Sequence, residues 1–133
     1  MRVCLDTNVL VSAFATRGLS ADLLELVLIE HELITGRSVL REFERALRAK
    51  IKLPTARCAE IVEFVAAEAT RIVEDASQAQ CKADEADRMV LGEALAGGAE
   101  AFVTGDAAVV ALRSLGSMRI LTPRQFWELA RSK

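Results

Sequence analysis

Tyrosine is missing from the 133-residue chain, and tryptophan and histidine occur once each. Aromatics make up 5% of the residues, so a core has to be built from Leu, Val, Ile and Ala. The lone His31 falls between a predicted helix and a predicted strand. That placement reads as structural and argues against Ser/His or Cys/His catalysis. Cysteine is sparse: Cys4, Cys58 and Cys81 lie far apart with no Cys-x-x-Cys pair, which argues against a structural zinc site. Their odd number reads as reduced thiols, the pattern of a cytoplasmic protein. No apolar run approaches the ~18 residues that span a bilayer. The residues before Asp6 hold no apolar core of signal-peptide length. A soluble protein with no membrane contact is expected. Neither a Walker loop nor a Gly-x-Gly-x-x-Gly turn is present. Neither sign of charge is in excess, with 17 basic against 19 acidic residues and a net charge of −2. Any nucleic-acid footprint must therefore be local.

Apolar residues are plentiful, at 52% of the chain. The length suits a single domain over residues 1–133 with a sizeable core. Val3–Leu5 is a short run rich in strand formers, stopped by Asp6-Thr7-Asn8, and Val9–Phe14 continues as an apolar turn or short helix. Ser20 is placed to cap a helix over Ala21–Glu30, where Leu23, Leu24, Val27 and Leu28 recur at helical spacing. His31–Thr35 predicts a second strand. Ser38 then caps a helix to about Ala49, with Leu40, Phe43 and Leu47 inward. Thr55 caps a long helix to about Ala69, and Arg71–Val73 predicts a third strand. Residues 74–86 read as a polar loop, and Asp87 opens a helix stopped by Gly97-Gly98. Ala101–Thr104 predicts a fourth strand, Ala107–Leu115 a short helix and Arg119–Leu121 a fifth strand. Thr122-Pro123 starts a last helix through Ala130. Short apolar strands alternating with helices predict an α/β fold: a parallel sheet covered on both faces in a three-layer α/β/α sandwich.

Open parallel sheets collect ligand sites at the C-terminal edge of their strands. Asp6 directly follows the first strand, Asp106 follows the fourth, and Glu42 lies in the second turn of the helix after strand two. Asp87 opens a helix of about 10 residues, ~15 Å long, that leads back into strand four. Its first turn therefore returns to the same edge. Four carboxylates gathered there repel one another unless some hold protons or a cation neutralises them. Hard oxygen donors select Mg2+ or Mn2+ over zinc. Such an ion orients a water, lowers its pKa and stabilises charge on a phosphate under attack. Taken singly, each acid also reads as surface charge, and Asp87 as a helix cap. The shared edge is what sets the four apart.

These residues also fall in a known order. Leu5-Asp6-Thr7-Asn8-Val9-Leu10 resembles the opening motif of PIN-domain ribonucleases. Ser38-Val39-Leu40-Arg41-Glu42 resembles the second motif, and Asp84-Glu85-Ala86-Asp87 with Ala94-Leu95-Ala96-Gly97-Gly98-Ala99 the third. Phe102-Val103-Thr104-Gly105-Asp106 resembles the fourth, and Ile120-Leu121-Thr122-Pro123-Arg124-Gln125-Phe126 the closing segment. The likeness is strongest to the PIN subgroup that supplies toxins of bacterial toxin–antitoxin pairs. It implies a five-stranded parallel sheet of order 3-2-1-4-5, a bound Mg2+ or Mn2+, and hydrolysis of RNA phosphodiesters. It further implies an antitoxin protein as partner and a homodimer. By the same resemblance Asp6 is the central metal ligand, Asp87 and Asp106 stand beside it, and Glu42 binds metal or steers the attacking water. Two positions depart from the subgroup. Ala108 stands where a further Asp is common, and Arg88 where many members have a second Asp. One tightly held ion, and a second only with substrate, is the expectation that follows.

Asn8 and Thr104 are candidates to hold carboxylates or a substrate phosphate, or simply to cap turns. Asp84 reads as an outer ligand or, preferably, a loop cap. Arg41, Arg45 and Arg48 share one face of the Glu42 helix and could follow an RNA backbone. Phe126, Trp127 and Leu129 read as core or dimer contacts. A receiver domain would need an acidic neighbour to Asp6, and a haloacid-dehalogenase-type phosphatase an Asp at position 8, where Asn8 stands. The alternative that remains is a catalytically weak PIN-like module that binds RNA or protein.

Overall fold

The inner apolar runs become strands because their β-branched and bulky residues are buried on both faces of a sheet. The structure is a computed structural model describing residues 1–132. Strands β1 (Arg2–Leu5), β2 (Glu32–Gly36), β3 (Arg71–Val73), β4 (Ala101–Val103) and β6 (Met118–Leu121) pair in parallel. A two-residue strand, β5 (Ser114–Leu115), pairs antiparallel with β6. The order across the sheet is β3-β2-β1-β4-β6-β5.

The five parallel strands stand in the expected 3-2-1-4-5 order, with the predicted fifth strand appearing as β6. The expectation of five purely parallel strands is corrected by the added edge hairpin. The predicted helix Ala107–Leu115 shrinks accordingly to α6 (Ala107–Val110). Gly116 explains the hairpin: it holds φ at +58°, a turn conformation that costs glycine little, between β5 and β6.

The other helices are α1 (Thr7–Ala15), α2 (Leu19–Glu30), α3 (Arg37–Ala49), α4 (Thr55–Glu68), α5 (Glu85–Ala96) and α7 (Pro123–Arg131). Several caps differ from the sequence reading. Gly18 rather than Ser20 precedes α2, and Pro54 rather than Thr55 precedes α4. Gly36 precedes α3, so Ser38 lies inside the helix. Asp84 caps α5, and Asp87 is its third residue. Thr122 and Gln125 form a reciprocal capping box at the start of α7. His31 stacks edge-on against the fully buried Phe126 at 5.7 Å, and Trp127 is half-buried.

Two placements matter for the site. The strand order reverses between β1 and β4, the crevice where open α/β sheets bind ligands. Helix α5 lies on the face from which Ile34 and Val73 project, and a Cβ at Gly97 would meet both side chains. Residues 74–84 form a loop laid along α5, pinned where the Ala79 N–H donates to the Arg88 carbonyl at 2.9 Å. Gly92 permits that approach, because a Cβ there would run into the Ser77 carbonyl. Replacing Gly92 with Ala is expected to cost about 1–3 kcal/mol, as overpacking against backbone does. Urea unfolding would show it as a lower midpoint at unchanged slope.

Candidate active site

Register decides the centre of the site. Leu5 pairs with Val103, so the next residues, Asp6 and Thr104, stand side by side at the strand ends. The Asp6 N–H donates to the Val103 carbonyl at 2.9 Å, extending the ladder by one residue. Asp6 then caps α1, its Oδ1 accepting the Thr7 N–H at 2.8 Å. Its Oδ2 accepts the Thr104 hydroxyl at 2.7 Å. The Thr104 Oγ1 in turn accepts the Asp106 N–H at 3.1 Å. One buried hydroxyl therefore joins the two acidic turns. Asp106 caps α6 by accepting the Ala108 and Val109 N–H groups. Asn8 ties the same turns from outside, its Oδ1 accepting the Gly105 N–H at 3.1 Å.

Glu42 arrives from α3 and is held by α1: the Thr7 hydroxyl donates to its Oε1 at 2.8 Å. Asp87 arrives from the first turn of α5, its N–H donating to Asp84 Oδ1 at 2.9 Å. Asp84 thus acts as the cap that the sequence favoured. Asp6, Glu42, Asp87 and Asp106 all line one open cavity of about 540 Å3, together with Asn8 and Arg45. The other two candidate substrate contacts lie elsewhere. Thr104 is fully buried beneath Asp6 and holds that carboxylate, and Arg41 is exposed on α3 outside the cavity wall.

The sequence reading missed Glu93. This carboxylate is buried on α5, where its Oε2 accepts the Ser38 hydroxyl at 2.6 Å. Its Oε1 accepts the Ser38 N–H at 3.0 Å. A negative group at a helix N-terminus satisfies free N–H groups and meets the positive end of the helix dipole. Glu93 so fixes the start of α3, one turn ahead of Glu42. Gly36 is required beside it, since a Cβ there would collide with the Glu93 side chain. The available signal was a lone Glu among Val90, Leu91 and Ala94, the buried stripe of α5.

The carboxylates disturb one another. Burial raises the pKa of Asp6, and the charges of Glu42 and Asp106 raise it further against the Thr104 and Thr7 hydrogen bonds. Desolvation, helped by the charges of Asp84, Asp106 and Asp6, pushes Asp87 up to about 6. The Cys4 thiol, buried one residue before Leu5, is held protonated by burial and by the charges of Asp6 and Glu93. Among the described residues, no Lys or Arg pairs with the four acids within 4.0 Å. The ion pairs among the described residues are Arg2–Glu100 and Arg57–Glu60. Among those residues, no three Asp, Glu, His or Cys side chains are yet close enough to share an ion. The donor set nevertheless suits a hard divalent cation, being all oxygen and carrying uncompensated charge that a cation would relieve.

The raised pKa of Asp87 has a stability consequence. Between about pH 4 and 6 the folded protein binds a proton at Asp87 that the unfolded chain has released. This group's stabilising contribution is therefore lost as pH rises through 6. In EDTA, the melting temperature of the wild type should fall relative to Asp87→Asn between pH 4 and 7. A gap that does not change with pH would contradict the assignment.

A family profile described as PIN domain matches residues 2–108. No curated protein matches the chain in sequence. Among solved structures, a chain of VapBC2 from Rickettsia felis, bound to a DNA fragment from their promoter, superposes with a TM-score of 0.67. The two share 14% identity over 92% of this chain and 98% of that one, a likeness of fold. The profile spans the four acids and the strand ends and helices that carry them, and by it the chain belongs to the PIN-domain family.

Proposed function

We propose that the chain is a divalent-metal-dependent endoribonuclease, the toxin of a toxin–antitoxin pair acting on RNA in the cytoplasm. The observation that carries this reading is the convergence of Asp6, Glu42, Asp87 and Asp106, from four separate segments, on one cavity with no described Lys or Arg paired to them. PIN domains are as a family nucleases, and the VapBC2 likeness, with the motif resemblance, supports the toxin role. An antitoxin protein and a second copy of this chain are the partners this reading implies.

Asp6, Asp87 and Asp106 would hold the ion. Mg2+ or Mn2+ there supplies charge to the phosphate under attack and acidifies a bound water. Thr7 and Thr104 keep Glu42 and Asp6 oriented, each through one carboxylate oxygen. The other Glu42 oxygen then serves as acceptor for a proton from the attacking water. Asn8 and Arg45 line the cavity and would contact the RNA phosphate, with Arg41, exposed on α3 outside the cavity, meeting the backbone beyond it.

With Mn2+ and single-stranded RNA, the wild type should cleave and Asp6→Asn should lose about 100-fold or more, since loss of even an outer metal partner costs 10–100-fold. Equal cleavage by both proteins would leave the alternative, a PIN-like binding module in which Ala108 and Arg88 replace acids. Millimolar Mn2+ should also raise the melting temperature of the wild type through binding linkage, and raise that of Asp6→Asn less. An unchanged wild-type melting temperature would count against the metal site.

A further inference from the structure

The cavity continues past the acids. Its remaining wall comes from Val11 and Ser12 on α1, from Arg45, Ala46 and Ala49 on α3, and from Lys50 directly after it. At 1.5 Å per residue, α3 carries this wall about 12 Å from Glu42 to Lys50. Along this side the order is Glu42, Arg45, Ala46, Ala49, Lys50, so the two alanines, with Val11 from α1, form an apolar stretch flanked by a cation at each end, with the acids beyond Arg45. A phosphodiester and its ions need oxygen donors and cations, and an apolar recess does nothing for them. The whole cavity, acids included, measures about 540 Å3, which leaves room for a small organic group beside a phosphate.

On the ribonuclease reading above, on which this step rests, we infer that Val11, Ala46 and Ala49 seat one unpaired nucleobase next to the scissile phosphate. Arg45 keeps its place at the scissile phosphate, and Lys50, past the seat, holds the next backbone phosphate. The alternation of charge along the trough matches the alternation of phosphate and base along an RNA strand. Every base has a flat apolar face, so an aliphatic seat accepts any of them. Ser12 is the one hydroxyl on this stretch of wall, too little to read a base edge. A base held in a duplex must leave its stack to enter. The seat therefore selects for an unpaired nucleotide and not for a sequence. The two alanines set its depth, because a larger side chain at either position would fill it.

Ala49 is exposed and Ala46 half-exposed, so leucine at both positions is compatible with folding. The test uses a single-stranded RNA with one mapped cleavage site, and the same RNA with an abasic ribose on either side of the scissile bond. With Mn2+, the wild type should cleave the intact RNA about tenfold faster than the abasic one, the scale of covering one apolar ring face. A46L/A49L should cleave both RNAs equally, at the rate the wild type shows on the abasic RNA. Its melting temperature should still rise with Mn2+ as the wild type's does. A wild type indifferent to the missing base would overturn the seat. So would a variant that cleaves the intact RNA at the wild-type rate, or one that loses abasic cleavage as well, with Ala49→Leu alone as the milder check. A wild type that cleaves neither RNA sinks the ribonuclease reading itself, which sets that failure apart from failure of the seat.

Discussion

The parallel pairing of β1 with β4 is the constraint on which the site depends. It sets Leu5 opposite Val103, and with no further freedom Asp6 and Thr104 emerge as neighbours at the strand ends. A register slip of one residue would turn the side chains of β4 to the opposite face and separate them. The Thr104 hydroxyl then locks the arrangement, donating a hydrogen bond to Asp6 and accepting one from the Asp106 N–H. It is fully buried, so water does not compete for either bond.

The rest of the site is delivered by helices, and each is fixed at the end that matters. Asp6 caps α1, Asp84 caps α5, and the Glu93 carboxylate serves the start of α3 from a neighbouring helix. Helix N-termini tolerate and favour carboxylates. The fold therefore gathers acids at one sheet edge with part of their repulsion already offset. The remainder shows in the raised pKa values of Asp6 and Asp87. That remainder is the electrostatic reason the site suits a cation.

Conformational constraint and charge are divided between the two long walls. Helix α1 contributes Thr7 and Val11 to the cavity, while α3 contributes Glu42 and Arg45 and its C-terminal flank Lys50. Thr7 bridges them at the acidic end, where the geometry must be tight. Farther along, Ala46 and Ala49 leave the space between the walls unfilled. The same pair of helices thus offers a rigid acidic end and an open apolar one.

Local chemistry made much of this legible in the sequence. Strand formers followed by Asp-Thr-Asn or Thr-Gly-Asp mark strand ends whatever the surroundings, and helical spacing marks the faces of α2 and α3. Together with the alternation of elements, that was enough to assign the four acids to one edge of a parallel sheet. The β5–β6 hairpin was not legible, because Ala107–Leu115 has helical composition and the turn depends on one glycine. Ser38 as a cap was misread because its hydroxyl serves Glu93, 55 residues away in sequence. Thr104 was likewise ambiguous between capping a turn, holding a carboxylate and touching substrate, until burial placed it under Asp6. Sequence by itself determined which residues end strands and start helices, since those preferences act within a few residues. Only the tertiary structure decided which polar groups meet, because a hydrogen bond between distant segments requires register and packing that no local pattern encodes.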